Sequence, residues 1–366
     1  MSYNPQPGMS VHDLDTPALL LDLDAFQFNL QKMASFFAGK PCGLRPHIKT
    51  HKCPTIALKQ LESGAVGITC AKVSEAEVMA SAGVQNILIA NQVTGPVKLD
   101  RLTDLAQRCS VMVAVDDADN VRALEQACSA KNARLKVLIE VDIGMHRCGV
   151  TAGAPAVQLA RQIAESPHLT FMGLQAYEGH AVLTADPQER ALKVQEAFAP
   201  VRETCELLER AGLPARTVSG GGTGTYDITG NLPPVNEVQA GSYVFMDSTY
   251  GAVRPEFKNS LSVLTTVVSR TVQGGLVVDA GLKAMSKEFG WPQPVGLAGA
   301  SVRGLSEEHG VLDLAEPERV SVHPGDKVSF IPSHCCTTTN LYDQLHVVQN
   351  GVLVDIWPIA ARGRAQ

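Results

Sequence analysis

The chain has 366 residues, 45% of them hydrophobic, and a formal charge of −6. That much apolar side chain builds two domains or one large barrel with an appendage, while the acidic balance and the lack of a basic patch interleaved with aromatics speak against nucleic acid as a partner. No run approaches the roughly 20 apolar residues of a membrane span and no basic-then-apolar leader opens the chain, so the expectation is a cytoplasmic protein with no membrane partner, whose nine cysteines stay reduced.

The first apolar run, TPALLLDLDAF, stands apart from the runs after it and is placed with the β-rich C-terminal part. From about residue 44 to 245, short β-prone runs alternate with amphipathic Ala/Leu/Glu-rich segments, the rhythm of βα units and a parallel sheet. Eight runs read as strands: LRPHIK, GITCAK, NILIAN, VMVAVD, KVLIEVDI, FMGLQAY, RTVSGG and NEVQAG. The helices between them carry punctuation such as Gly64, Gly83 and Gly212 at helix ends, and Ser74 with Glu77 three residues on as a capping box. After about residue 246 the texture changes to Val-rich runs (LSVLTTVVSRTV, GLVVDAG, DKVSFIPSH, LHVVQNG, VLVDIWPIAARG) separated by Gly, Pro, Asn and Asp, which reads as an antiparallel β domain. The expected fold is therefore a (β/α)8 TIM-type barrel over residues 24–246, with a β domain made from 1–23 and 247–366.

Polar residues end nearly every barrel strand, and in such barrels the catalytic groups sit at those ends. The stretch SGGGTG, with Ser219, Gly221, Gly222, Thr223 and Thr225, has the composition of a phosphate cradle, in which backbone N–H groups meet an anion. It lacks the spacing and the lysine of a nucleotide-triphosphate loop. In eight-stranded barrels the loops after strands seven and eight build the phosphate site, which adds Gly241, Ser242 and Tyr243 of QAGSY. Across the rim, LRPHIKTHK ends a strand in cations. Loss of water around a lysine amine disfavours its charged form and frees it for Schiff-base chemistry, so an amine facing a phosphate cradle points to pyridoxal 5'-phosphate. Lys49 closes the strand and is the chosen residue. Lys52 lies beyond His51 beside the helix that starts at Pro54, and reads as a solvated or structural charge.

His47, two residues from Lys49, shares its face in an extended strand and is a catalytic candidate or a satisfied core histidine. Arg147, in EVDIGMHRCG, is either a loop arginine paired with Asp142 or a fixed cation for a cofactor oxygen or substrate carboxylate. Tyr177, in QAYEGH, either flanks the cofactor ring or closes the core. In HCCTTTNLYD, His334 and Cys336 leave one face of an extended backbone while Cys335 points away. An imidazole with a thiolate suits zinc, although on spacing alone packing is the commoner role of such a pair.

As an ordered set, DTPALLLDLDAF, RPHIKTHKCP, KVSEAE, VDIGMHRCGV, GLQAYEGH, SGGGTG, QAGSYVFMD, VVDAGLK, HCCTTTNLYD and DIWPIAARG resemble the D-threonine aldolase and D-serine dehydratase group of pyridoxal-phosphate enzymes, which share the alanine-racemase-like fold type III. The likeness covers essentially the whole chain. It implies Lys49 as cofactor lysine, Gly221, Gly222 and Thr223 as phosphate loop, and Arg147 beside the cofactor oxygen. It also implies a divalent metal on His334 and Cys336 (zinc, with manganese or magnesium as alternatives), a small D-amino acid substrate and a homodimer. Aldolases of the group typically carry His-x-Asp at the metal and a histidine a few residues past the strand-six tyrosine, where this chain has Leu183 with His180 nearby. The His-x-Cys pair therefore leans to a dehydratase that converts D-serine, D-threonine or 3-hydroxy-D-aspartate to a 2-oxo acid and ammonia, with Lys49 as base for the Cα proton. The alternative is an aldolase that releases glycine and an aldehyde, and a racemase is the third outcome.

Overall fold

The computed structural model describes residues 3–366 and divides into two compact units. One holds residues 33–49, 56–241 and 363–366; the other holds the chain up to Lys32, then 50–55 and 242–362. After β1 (Ala18–Asp22), the first unit contributes β2 (Gly43–Leu44), β3 (Ile68–Cys70), β4 (Asn86–Gln92), β5 (Ser110–Val115), β6 (Leu135–Glu140), β7 (Leu169–Ala176), β8 (Thr217–Gly220) and β9 (Glu237–Val238). All eight runs read from the sequence are strands, and they pair in parallel in the order β2-β9-β8-β7-β6-β5-β4-β3. The ring closes where Val66 N–H donates to the Leu44 carbonyl and Thr69 N–H to the Pro46 carbonyl, both at 2.9 Å, next to a parallel bridge between His47 and Thr69. Helices cover the outside, so strands such as β5 are apolar on both faces, and Leu88, Met112 and Leu138 form one layer of the core.

Two local expectations give way. β2 stops at Leu44 rather than running to Lys49, because Pro46 has no N–H to continue the ladder; Ile48–Thr50 is a 3-10 turn instead. The helix Val73–Ser81 begins two residues earlier than the expected box requires. Glu75, not Glu77, turns back to accept the N–H groups of Ala71 and Lys72 at 2.7 and 3.2 Å. Ser74 instead donates to the Gln366 carbonyl at 2.6 Å, and Glu77 pairs with Arg101. Gly64, Gly83 and Gly212 do follow helix ends, at φ +96, +99 and +73, values that a side chain would oppose.

The second unit is a nine-stranded sheet. Its later strands are β10 (Leu261–Arg270), β11 (Leu276–Val278), β12 (Gln293–Pro294), β13 (Ala300–Leu305), β14 (Gly310–Leu314), β15 (Lys327–Ile331), β16 (Gln344–Gln349) and β17 (Val352–Pro358). β1 enters this sheet antiparallel to β10 and parallel to β16, with Leu14, Leu20, Leu264 and Leu353 packed in one apolar cluster. The helix Leu23–Phe37 crosses the division between the units; its Asn29 exchanges two hydrogen bonds with the Lys258 backbone, at 2.7 and 2.8 Å. The short segment 50–55 is held in the same unit, where the Lys52 carbonyl accepts Ala361 N–H at 3.0 Å. Among the described residues no helix is long and apolar enough to cross a membrane.

Candidate active site

Lys49 sits in the 3-10 turn with its side chain exposed, so the amine is more open to water than a strand-end position implies. His47 is buried, and its Nδ1 accepts the Lys49 backbone N–H at 3.4 Å. In a turn the alternation of an extended strand does not apply, so His47 does not share a face with Lys49 by that rule, and it reads as a core histidine shaping the turn. Lys52 adopts φ +51 and is half-buried, in keeping with a structural charge.

The loop after β6 is closed by a bridge between Val141 and Val150. Asp142 does not pair with Arg147. It accepts Gly144 N–H, His146 N–H and the His146 ring, each at 3.0 Å. What burial it has works against its charge, but those bonds outweigh it and hold the carboxyl below its usual range. Arg147 is left over the Tyr177 ring, 5.9 Å from its centroid, and lines a cleft with Glu140, Asp142, Cys148 and Tyr177. Burial pushes Glu140 above the ordinary carboxyl range, against a hydrogen bond from Gln92 and the charge of Arg147. His180 is exposed, with its ring packed over the backbone of this loop: a Cβ on Gly144 would lie 2.9–3.4 Å from the ring atoms.

The glycine-rich loop is organised by a residue that the sequence reading passed over. Glu178, fully buried, accepts Gly221 N–H at 3.1 Å and the hydroxyls of Thr225 at 2.6 Å and Thr229 at 2.5 Å. Gly222 N–H goes to Thr225 Oγ1 at 3.2 Å. Gly222 also borders the cleft, since a Cβ there would stand 3.5 Å from Tyr177 Cε2 and 3.2 Å from Val182. Ser219 leaves the expected set: its hydroxyl donates to Glu237 at 2.8 Å and accepts from Gln239 at 2.9 Å inside the barrel, where Glu237 pairs with buried Arg45 at 2.7 Å. Gly241 ends the barrel unit, and Ser242 and Tyr243 open a 3-10 turn in the other. Tyr243 is fully buried with its ring 6.2 Å from that of Phe257.

In the β unit, His334 precedes the helix Cys335–Thr339. The turn into a helix breaks the expected alternation, so Cys335 does not point away: one donor atom from each of His334, Cys335 and Cys336 lies within 4.8 Å of the others. Cys335 is fully buried, and burial together with Cys336 and Asp247 pushes its thiol well above the usual range. Burial alone would lower the His334 imidazole, but its proximity to the polar and charged groups of Asp247 and Cys336 outweighs this and raises it to about 10. The Cys336 thiol donates to Oγ1 of Thr50, the residue after Lys49, at 3.3 Å. A borderline-soft imidazole and thiolate at this separation fit a divalent ion such as zinc.

Residues 21–249 match the alanine racemase N-terminal domain family and residues 260–348 a putative serine dehydratase domain. The chain is 42% identical to D-threonine aldolase of Arthrobacter sp over 98% of its own length and 95% of the relative's. The chain belongs to the D-threonine aldolase and D-serine dehydratase family. It is 38% identical to 3-hydroxy-D-aspartate aldolase of Paracoccus denitrificans, over 98% and 95% of the two chains. With D-threo-3-hydroxyaspartate dehydratase of Delftia sp. it is 32% identical, over 89% and 92%. The solved structure of D-threonine aldolase from Filomicrobium marinum superimposes with a TM-score of 0.96, 42% identity, and 99% and 100% of the chains covered. Structures of D-threo-3-hydroxyaspartate dehydratase, at 29% identity and a TM-score of 0.88 over at least 96% of each chain, include histidine-to-alanine and cysteine-to-alanine variants two positions apart, the latter metal-free. The protein is accordingly a pyridoxal-phosphate-dependent lyase with the alanine-racemase fold.

Proposed function

We propose that the protein is an aldolase that cleaves a 3-hydroxy-D-amino acid, D-threonine or 3-hydroxy-D-aspartate, into glycine and an aldehyde. The observation that carries this is the 42% identity to a D-threonine aldolase along nearly the whole of both chains, against 32% for the dehydratase. It reverses the preference for a dehydratase that the His-x-Cys pair suggests by itself.

When bound, pyridoxal phosphate supplies the electron sink for the pair left on Cα, and the metal supplies a Lewis acid for the β-hydroxyl oxygen. The residues fit both groups. The exposed Lys49 amine would hold the cofactor's aldehyde carbon. The phosphate would meet the glycine-rich loop of Gly221, Gly222 and Thr223, which Glu178 and Thr225 hold in shape. Arg147, kept off Asp142 and over Tyr177, presents a fixed cation to an anionic oxygen, and Tyr177 bounds the ring's space. His334 and Cys336 would hold the metal. His180, exposed over the Arg147 loop, takes the proton from the β-hydroxyl oxygen as Cα–Cβ breaks, and Cα takes up a proton to give glycine. The reading also includes a homodimer, measurable by sedimentation equilibrium.

One observation favours the dehydratase as second reading: the separation of His334 and Cys336 equals that of the two replaced residues in the structures of D-threo-3-hydroxyaspartate dehydratase variants. Incubation of the holoenzyme with D-threonine, D-serine and both 3-hydroxy-D-aspartate diastereomers, with glycine and aldehyde assayed against 2-oxo acid and ammonia, separates the two. The aldolase reading expects glycine and aldehyde in equal amounts. Ammonia in excess of glycine overturns it in favour of the dehydratase.

A further inference from the structure

We propose that Asp247 is the positioning residue of the metal pair: its carboxylate accepts the Nδ1–H of His334, fixing the ring so that Nε2 is the nitrogen presented to the ion. The inference rests on the reading of His334 and Cys336 as metal ligands. A ligating imidazole works through one nitrogen, and the partner of the other nitrogen decides both ring orientation and tautomer. His334 Nδ1 is buried and completes no hydrogen bond; Asp247 Oδ2, 3.4 Å away, stands within ion-pair reach of it. Nε2 lies on the more open side, 3.9 Å from the half-exposed Glu288. Asp247 is not part of the three-donor cluster of His334, Cys335 and Cys336, so its role is to hold a ligand rather than to be one.

The carboxylate is itself rigidly held. Asp247 is fully buried. Its Oδ1 accepts Tyr250 N–H at 2.8 Å, capping the helix Ser248–Val253, and its Oδ2 accepts Cys335 N–H at 2.9 Å. Two more bonds tie the same segments together: Ser248 N–H to the Pro332 carbonyl at 3.1 Å and the Thr249 hydroxyl to the Ser333 carbonyl at 2.8 Å. Met246, just before, holds φ +56, a conformation that a long side chain avoids and that persists where surrounding contacts over-determine it. The same carboxylate thus fixes the backbone on which His334 and Cys335 sit and the ring that meets the ion.

The test is zinc affinity, read by chelator competition on cofactor-loaded protein, for wild type, Asp247→Asn and Asp247→Ser. The asparagine keeps the shape but sets an N–H donor against one of the donors that Asp247 now accepts. The serine keeps an oxygen for the helix cap but cannot reach the ring. Both variants are expected to bind zinc 10–100-fold more weakly while retaining the visible absorbance of bound cofactor. Folded variants with wild-type zinc affinity overturn the inference alone; a wild type that binds no zinc overturns the metal reading with it. Long-range 1H–15N spectra of zinc-loaded wild type, with His334 assigned by its absence in His334→Gln, do not depend on either variant folding. A proton on Nδ1 is expected, and zinc on Nδ1 overturns the proposal.

Discussion

Glu178→Ala is the change whose consequences the geometry defines most closely. The wild-type side chain is fully buried and accepts from one backbone amide and two hydroxyls at 2.5–3.1 Å. Hydrogen bonds of this kind, with an acidic acceptor, are worth about 1.5–3 kcal/mol each. Simple addition therefore gives about 5–9 kcal/mol. The threonine hydroxyls, however, can rotate to other acceptors or to water entering the vacated volume, whereas Gly221 N–H cannot. The lasting loss is one orphaned amide plus a cavity, about 3–5 kcal/mol. Glu178→Gln keeps the volume and one acceptor oxygen, and turns an N–H toward either the amide or the hydroxyls, costing about 1–3 kcal/mol. Both changes fall on the loop proposed to meet the phosphate, so cofactor affinity is expected to fall along with stability. Urea unfolding of the cofactor-free protein gives the first quantity and spectroscopic titration with pyridoxal phosphate the second. If Glu178→Ala unfolds at the wild-type urea midpoint and binds the cofactor as tightly, Glu178 does not organise that loop.

Two other expectations concern the barrel interior and the metal pair. Arg45→Met leaves Glu237 buried without its cation, and breaking such a pair costs about 3–5 kcal/mol; Arg45→Met with Glu237→Leu recovers most of it, and urea midpoints of the three forms, with no deficit in the single variant as the contrary result, check this. In the metal-free protein His334 stays protonated up to about 10, so zinc must displace that proton. Apparent zinc affinity is therefore expected to rise from pH 6 to 8 by about tenfold per unit for each proton released, and pH-independent competition titrations would contradict the assignment.

What the sequence disclosed and what it concealed depend on the range of the interactions involved. Strands such as β4 to β7 were legible because each is a local apolar run bounded by turn residues, and parallel pairing leaves such runs buried on both faces. LRPHIK was over-extended because its apolar texture hides a proline that cannot donate to the ladder. The pair His334 and Cys336 was legible as a donor set, but its surroundings were not: two-residue alternation holds in a strand and fails where His334 leads into a helix. Ser219 reads as a site residue because it flanks a glycine-rich turn, yet its partner Glu237 lies 18 positions further along the chain. Glu178 and Asp247 escaped for the same reason. Asp247 before Ser-Thr-Tyr is readable as a helix cap, but its bond to Cys335, 88 positions away, is made only by the fold.

The covalent address of the cofactor is the most direct measurement. Borohydride reduction of the holoenzyme followed by peptide mapping should place the pyridoxyl group on Lys49, and Lys49→Ala should abolish the adduct while Lys52→Ala retains it. An adduct on Lys52, or on any lysine outside the Ile48–Thr50 turn, contradicts the account.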